Sequence, residues 1–184
     1  MSEVARIYQE LCSLRQIVIS TKSPSDQSAF EALASKSLLL ASASYFERQI
    51  CDAIEQTARE SGTCALMVNF ISRQALERKY HAMFDWKAKN INNFLKLFGP
   101  EYKNAMEREI KDSDELGEAM KDFIFLNSQR NLLVHNNYAS FPLGSSMDEL
   151  WNKFGSARRL SDWLPSKLKI LVVREISADE ENGE

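Results

Sequence analysis

The chain has 184 residues, of which 44% are hydrophobic and 27% charged, enough apolar material for one domain with a real core. Only four prolines and six glycines interrupt it, which favours helix, and a net charge of -3 argues against a protein that coats nucleic acid by bulk charge. Cys12, Cys51 and Cys64 form no C-x-x-C pair and read as buried, reduced thiols of a cytoplasmic protein. No basic segment precedes an apolar N-terminal stretch, so no signal peptide is expected. The longest near-apolar run, residues 37–46, is too short and too serine-rich to span a bilayer.

Ser2 can cap a first helix reaching about residue 19, with Ile7, Leu11, Leu14 and Val18 at three-to-four spacing. The run Thr21-Lys22-Ser23-Pro24-Ser25-Asp26 breaks that pattern, and Ser25 or Asp26 can cap a long second helix that closes at Gly62. Ala34, Ser37, Ala41 and Ser44 give this helix a seam of small residues, and Glu47 lies on its continuation. A half-buried glutamate there either pairs with a cation of a neighbouring helix or orients functional groups inside a bundle. Thr63 then caps a third helix over residues 64–84, with Leu66, Phe70, Ile71, Leu76 and Tyr80 facing inward. His81 falls on it without a partner motif and reads as structural or exposed. A shorter helix is expected over residues 87–98, stopping at Gly99-Pro100, and another over 101–111. Lys87, Lys89, Asn90, Asn92, Asn93 and Lys96 form either a hydrated face or a polar strip for phosphates.

The most informative stretch follows. Ser113 or Asp114 starts a helix running to about Asn136, where an asparagine tolerates the left-handed cap. Within it the apolar run Phe123-Ile124-Phe125-Leu126 gives way to Asn127-Ser128-Gln129-Arg130-Asn131. At about 100° per residue, Asn131 and His135 stand one turn apart on one face, with Tyr138 close behind. Arg130 and His135 are about 140° apart, so their side chains converge only over a shared ligand or groove. An imidazole can move a proton near neutral pH, and a guanidinium can hold the charge of a phosphorane. The plainer reading leaves His135 as a residue suited to a helix end and Arg130 as a surface charge. No H-E-x-x-H, paired-cysteine set, glycine-rich phosphate loop or G-x-S-x-G elbow competes with this group. Ser146-Met147-Asp148-Glu149 makes a capping box for a helix bearing Leu150, Trp151 and Phe154 and stopping at Pro165. Residues 170–173 end a last helix or add a strand, and the acidic end, residues 178–184, is expected to be disordered.

Arg130-Asn131-x-x-x-His135, late in a helix-rich chain, resembles the signature of HEPN-superfamily domains, an Arg followed after a short spacer by His. Tyr45-Phe46-Glu47, behind the small-apolar run 38–43, resembles the glutamate-bearing helix of the RiboL-PSP type and its relatives. The similarity covers roughly residues 26–170. It implies an all-α HEPN-like helical bundle with a long central helix, occupying residues 1–177 as a single domain. It also implies a homodimer with a composite site and metal-independent endoribonuclease activity without a cofactor, in a family rich in toxins and antiviral effectors. On that reading Arg130, Asn131 and His135 are catalytic, with Glu47 and Tyr138 in support. The partners would be RNA and an antitoxin or regulatory protein. The alternative is a non-catalytic HEPN-like adaptor or immunity module that works through protein or nucleotide binding.

Overall fold

Apolar stripes on three long helices meet at the centre of the molecule. The computed structural model describes residues 2–77 and 79–181, with side chains as far as residue 168. In it α2 (Pro24–Glu60), α6 (Asp114–His135) and α7 (Met147–Glu181) pack together, while α1 (Glu3–Ser20), α3 (Ala65–Ile71), α4 (Asn92–Lys96) and α5 (Pro100–Lys111) flank them. Among the described residues no strand occurs, and the fold is the all-α bundle that the composition and the resemblance imply.

Phe46 of α2 is the keystone. It is fully buried, with its ring 5.3 Å from that of Phe123 on α6 and 5.4 Å from that of Phe154 on α7. Leu38, Leu39 and Ile50 extend the contact along α2, Leu126 and Leu133 along α6, and Leu150, Leu160 and Leu164 along α7. Each such side chain contributes about 1.5–3 kcal/mol through burial, so the relative register of the three helices is firmly set. α1 is held by charge as well as by Val4. Arg15 bridges Glu31 of α2 and Asp148 of α7 at 2.6 and 2.9 Å, and the Tyr8 hydroxyl donates to Asp148 at 2.8 Å.

Several boundaries follow the local chemistry. The Ser2, Ser113 and Ser146 hydroxyls accept from the amides of Ala5, Leu116 and Glu149, as expected of N-caps. Ser23, not Ser25 or Asp26, caps α2, because Pro24 is well suited to the first helical position. Asn136 ends α6 in an extended conformation, not a left-handed one, and its Nδ2 donates to the Leu132 carbonyl at 2.7 Å. Pro165 does not stop α7, which continues to Glu181. Burial of Leu164 and Leu168 on either side offsets the backbone bond that the proline cannot make. Of the acidic end expected to be disordered, residues 178–181 fall on that helical backbone and 182–184 lie outside the described residues.

The small-residue seam of α2 is not a core contact. Only Ala34 of it is buried, Ser37 is exposed, and Ala41 and Ser44 border a shallow groove beside α1. Cys64, expected to be buried, is exposed, and Cys12 and Cys51 are half-buried free thiols.

The largest departure from expectation lies between α2 and α5. The single helix expected over residues 64–84 is instead α3, a π turn (Ser72–Leu76) and a short 3-10 turn (Tyr80–Ala82). Leu66 and Phe70, expected inside, are 81% and 59% exposed. A continuous helix would carry the chain about 1.5 Å per residue along one line. It could not fold Tyr80, Phe84 and Trp86 back over α6, where their rings stack among Phe94 and Phe123. The helix expected over residues 87–98 shrinks to α4 for a local reason. The Asp85 carboxylate accepts from the amides of Lys87 and Ala88 and the Asn90 side chain accepts from the amide of Asn92, turns that compete with helix.

Candidate active site

The polar run that interrupts the apolar face of α6 is used to hold this irregular segment. Asn127 is fully buried; its Nδ2 donates to the Phe123 carbonyl at 2.9 Å and its Oδ1 accepts from the Tyr80 hydroxyl at 3.4 Å. One residue on, the Ser128 hydroxyl donates to the Trp86 carbonyl at 2.8 Å. The Trp86 indole N–H in turn donates to the His81 carbonyl at 2.9 Å. Two adjacent side chains of α6 thus tie the 80–86 segment across the helix.

The last two turns of α6 form one wall of a cleft of about 560 Å³, where Ser128, Asn131, Leu132 and His135 face Phe84, Asp85, Trp86 and Lys87. Asn131 and His135 do share a face, as their spacing predicts. Arg130 is half-buried, and its Nη1 donates to Asn131 Oδ1 at 3.3 Å, which joins it to the cleft. His135 is exposed at the helix end. The cleft offers a proton-transfer group, an amide, a nearby permanent cation and an indole surface on which a base can stack.

Glu47 has a partner that the sequence reading passed over. Its Oε2 lies 3.6 Å from Nε2 of His81, on the 3-10 turn. His81 also stands edge-on to Tyr80 at 5.1 Å and 5.9 Å from the Trp86 ring. Burial lowers its pKa below the usual imidazole value, the charges of Arg130 and His135 push in the same direction, and Glu47 opposes them. The neighbouring Tyr80 phenol is pushed well up by burial and by the charges of Glu47 and Cys51, with Arg130 acting against them. Glu47, His81, Arg130 and His135 therefore form one electrostatic group drawn from α2, the 3-10 turn and α6. The spacing of Arg130, Asn131 and His135 made those three legible, whereas His81 had no local motif to mark it.

Tyr138 lies beyond the end of α6 and is 41% exposed. Its carbonyl accepts from Nζ of the buried Lys36 at 2.7 Å, and that ammonium sits 5.0 Å from its ring centroid, so Tyr138 anchors the loop after α6. On the far side of Glu47, a second cleft is acidic in character, with Asp52, Glu55 and Glu77 set against Arg48. Of the polar strip expected near α4, Lys87 reaches the α6 cleft, while Asn92 donates to Glu107 of α5 at 3.3 Å. Among the described residues, no group of three or more His, Cys, Asp or Glu is placed to hold a metal ion, and no helix is long and apolar enough to cross a membrane.

The all-helical fold, with Arg-Asn-x-x-x-His at the end of a core helix, agrees with the resemblance to HEPN-superfamily domains. The family model described as RiboL-PSP-HEPN matches residues 2–169, and the chain belongs to that family. The match takes in α1, which the resemblance read from the sequence left outside. Searches among curated proteins and among solved structures give no significant match.

Proposed function

We propose that the chain is a metal-independent endoribonuclease that cleaves RNA by transphosphorylation and serves as a toxin or antiviral effector. The 2′-hydroxyl attacks the adjacent phosphorus, the bond to the 5′-oxygen breaks, and a 2′,3′-cyclic phosphate remains. His135 transfers a proton, Arg130 stabilises the equatorial oxygens, and Asn131 positions the scissile phosphate. The observation that carries this reading is the single cleft in which Asn131, bonded to Arg130, and His135 face the exposed part of Trp86. A base stacked on the indole would set its ribose phosphate against the polar wall.

A homodimer and a regulatory protein that occludes the cleft belong to the same proposal. Two protons move in the reaction, so a second carrier is needed. It is either His135 of a second copy across a dimer axis or another group of the same chain. The non-catalytic adaptor is the second reading, favoured by the acidic face of Glu47, Asp52, Glu55 and Glu77, which repels phosphate.

Cleavage of a labelled oligoribonucleotide in EDTA, with wild type beside a folded His135→Ala variant, tests the proposal. Cyclic phosphate ends made by wild type and lost in the variant are expected. A wild type inert on several RNAs would leave the adaptor as the better reading.

A further inference from the structure

The two walls of the cleft differ in chemistry. Asn131 and His135, with Arg130 bonded to Asn131, make the α6 wall the one that suits a phosphate. Phe84, Asp85, Trp86 and Lys87 stand opposite, and the nuclease reading so far uses only the stacking surface of Trp86. Asp85 is the residue left over. A carboxylate repels phosphate, so its place on the rim of a cleft for a polyanion calls for another use. The turn that follows employs only half of it. Its Oδ1 accepts from the amides of Lys87 at 3.0 Å and Ala88 at 3.4 Å, whereas Oδ2 bonds to none of the described residues. Two amides on one oxygen hold the carboxylate in place and leave an exposed, fixed acceptor on the wall that carries the indole. Trp86 is held just as firmly. Its N–H donates to the His81 carbonyl at 2.9 Å, its own carbonyl accepts from Ser128 at 2.8 Å, and Phe84 stacks on it at 4.7 Å. A preset acceptor beside a rigid aromatic surface meets the needs of a nucleobase, which stacks by its face and donates from its edge.

We propose that Asp85 selects the base at the cleavage position, its Oδ2 accepting from an exocyclic amino group while the ring lies against Trp86. The inference rests on the nuclease reading above and names the substrate class of that same site. The substrate is RNA cut on the 3′ side of cytosine, adenine or guanine, and not of uracil. Cytosine N4 is an established partner for an aspartate side chain, and adenine N6 and guanine N2 offer the same donor. Uracil alone among these bases has no amino group. Its one ring N–H lies between two carbonyl oxygens, so a carboxylate that reaches for it meets two further acceptors. The bond to an amino group is charge-assisted, which makes it the stronger kind. Asp85 takes no part in making or breaking bonds; it decides which nucleotide is seated when His135 and Arg130 act. Lys87, on the same wall, suits the neighbouring phosphate, a contact that holds the strand and carries no base information.

The test gives full-length wild type, Asp85→Asn, Asp85→Ala and Lys87→Ala a randomised oligoribonucleotide pool in EDTA. Sequencing of the captured ends then reads the base beside each cyclic phosphate. Wild type is expected to cut after uracil about 10-fold less often than after cytosine, or less still, the loss of one hydrogen bond to a charged group. Asp85→Asn keeps a side-chain carbonyl for the Lys87 and Ala88 amides, so the turn survives, but its outward atom becomes a donor. Uracil should then be cut at least as often as cytosine. Asp85→Ala should cut after all bases alike, and Lys87→Ala should slow them together and flatten the salt dependence. If the Asp85 variants do not fold, a pyrimidin-2-one nucleotide, which is cytidine without its amino group, removes the same bond from the substrate and should be cut as poorly as uridine. Wild type cutting equally after uracil and cytosine, or pyrimidin-2-one cut as well as cytosine, would overturn the assignment. So would an Asp85→Asn ratio within about twofold of wild type, which is the outcome if Asp85 only shapes the turn. A wild type that cuts nothing in the pool would end the nuclease reading itself.

Discussion

Arg130→Ala separates a chemical role from a structural one. The guanidinium is half-buried, its hydrogen bond goes to the neutral amide of Asn131 at 3.3 Å, and it appears in no ion pair among the described residues. Its charge is thus not cancelled by a carboxylate and acts on the groups around it, lowering the proton affinity of His81. Loss of a placed donor for transition-state charge costs about 2.7–4 kcal/mol, or about 100- to 1000-fold in kcat. Stability should barely move. One neutral hydrogen bond is worth about 0.5–1.5 kcal/mol. For a domain of this size that corresponds to a change in Tm of at most about 6 °C. Arg130→Lys keeps the charge and loses the planar fork, so it should fall between the two. The assays are single-turnover cleavage, thermal melting, and NMR titration of the His81 ring, whose pKa should rise in Arg130→Ala. Cleavage above a tenth of the wild-type rate, or a melt that collapses by tens of degrees, would refute this reasoning and make Arg130 a structural residue.

Phe46→Ala should destabilise the chain by about 3–5 kcal/mol, since a fully buried ring between Phe123 and Phe154 leaves a cavity that three long helices cannot close. Chemical denaturation measures it, and a loss below about 1.5 kcal/mol would show that the helices can collapse around the gap. The Asp148 carboxyl is held below its usual range by the Tyr8 hydroxyl and the Arg15 guanidinium, against its own burial. A depressed carboxylate stabilises the fold above its unfolded pKa of about 3.9 and loses that contribution as the pH falls through the folded value. Tyr8→Phe should therefore be less stable than wild type at pH 7, with the gap narrowing below about pH 4. A gap that stays constant from pH 7 to pH 3 would remove Asp148 from the explanation.

How legible the chain was depended on how local the determining chemistry is. α6 could be bounded from Ser113 and Asn136, and α7 could be started at Ser146, because a cap is decided by a few adjacent residues. The Arg130-Asn131-His135 group was visible for the same reason, being set by turns of one helix. Residues 64–91 were legible only in part: a helix starts after Cys64 and Leu76 and Tyr80 are buried as expected, but the continuous helix is absent. Their apolar spacing suits a helix, but the aromatic side chains are claimed by partners on α4 and α6 that no sequence window contains. His81 was missed with them, since its relation to Glu47 and Arg130 exists only after three separate elements have packed. Asn127 and Ser128 carried the available clue, as polar residues on an otherwise apolar helix must find partners, and these find Tyr80 and Trp86.

The two walls of the cleft differ in how freely they can change. On the α6 side, Arg130 and His135 are interleaved with Asn127 and Leu133, both fully buried, so a slide or insertion there would dislodge the core. On the other side, residues 87–90 are largely exposed turns held through the side chains of Asp85 and Asn90. Such loops accept substitution and changes in length with little penalty. Substitutions that alter what enters the cleft are therefore tolerated more readily in this short hydrophilic stretch than on the helical wall opposite.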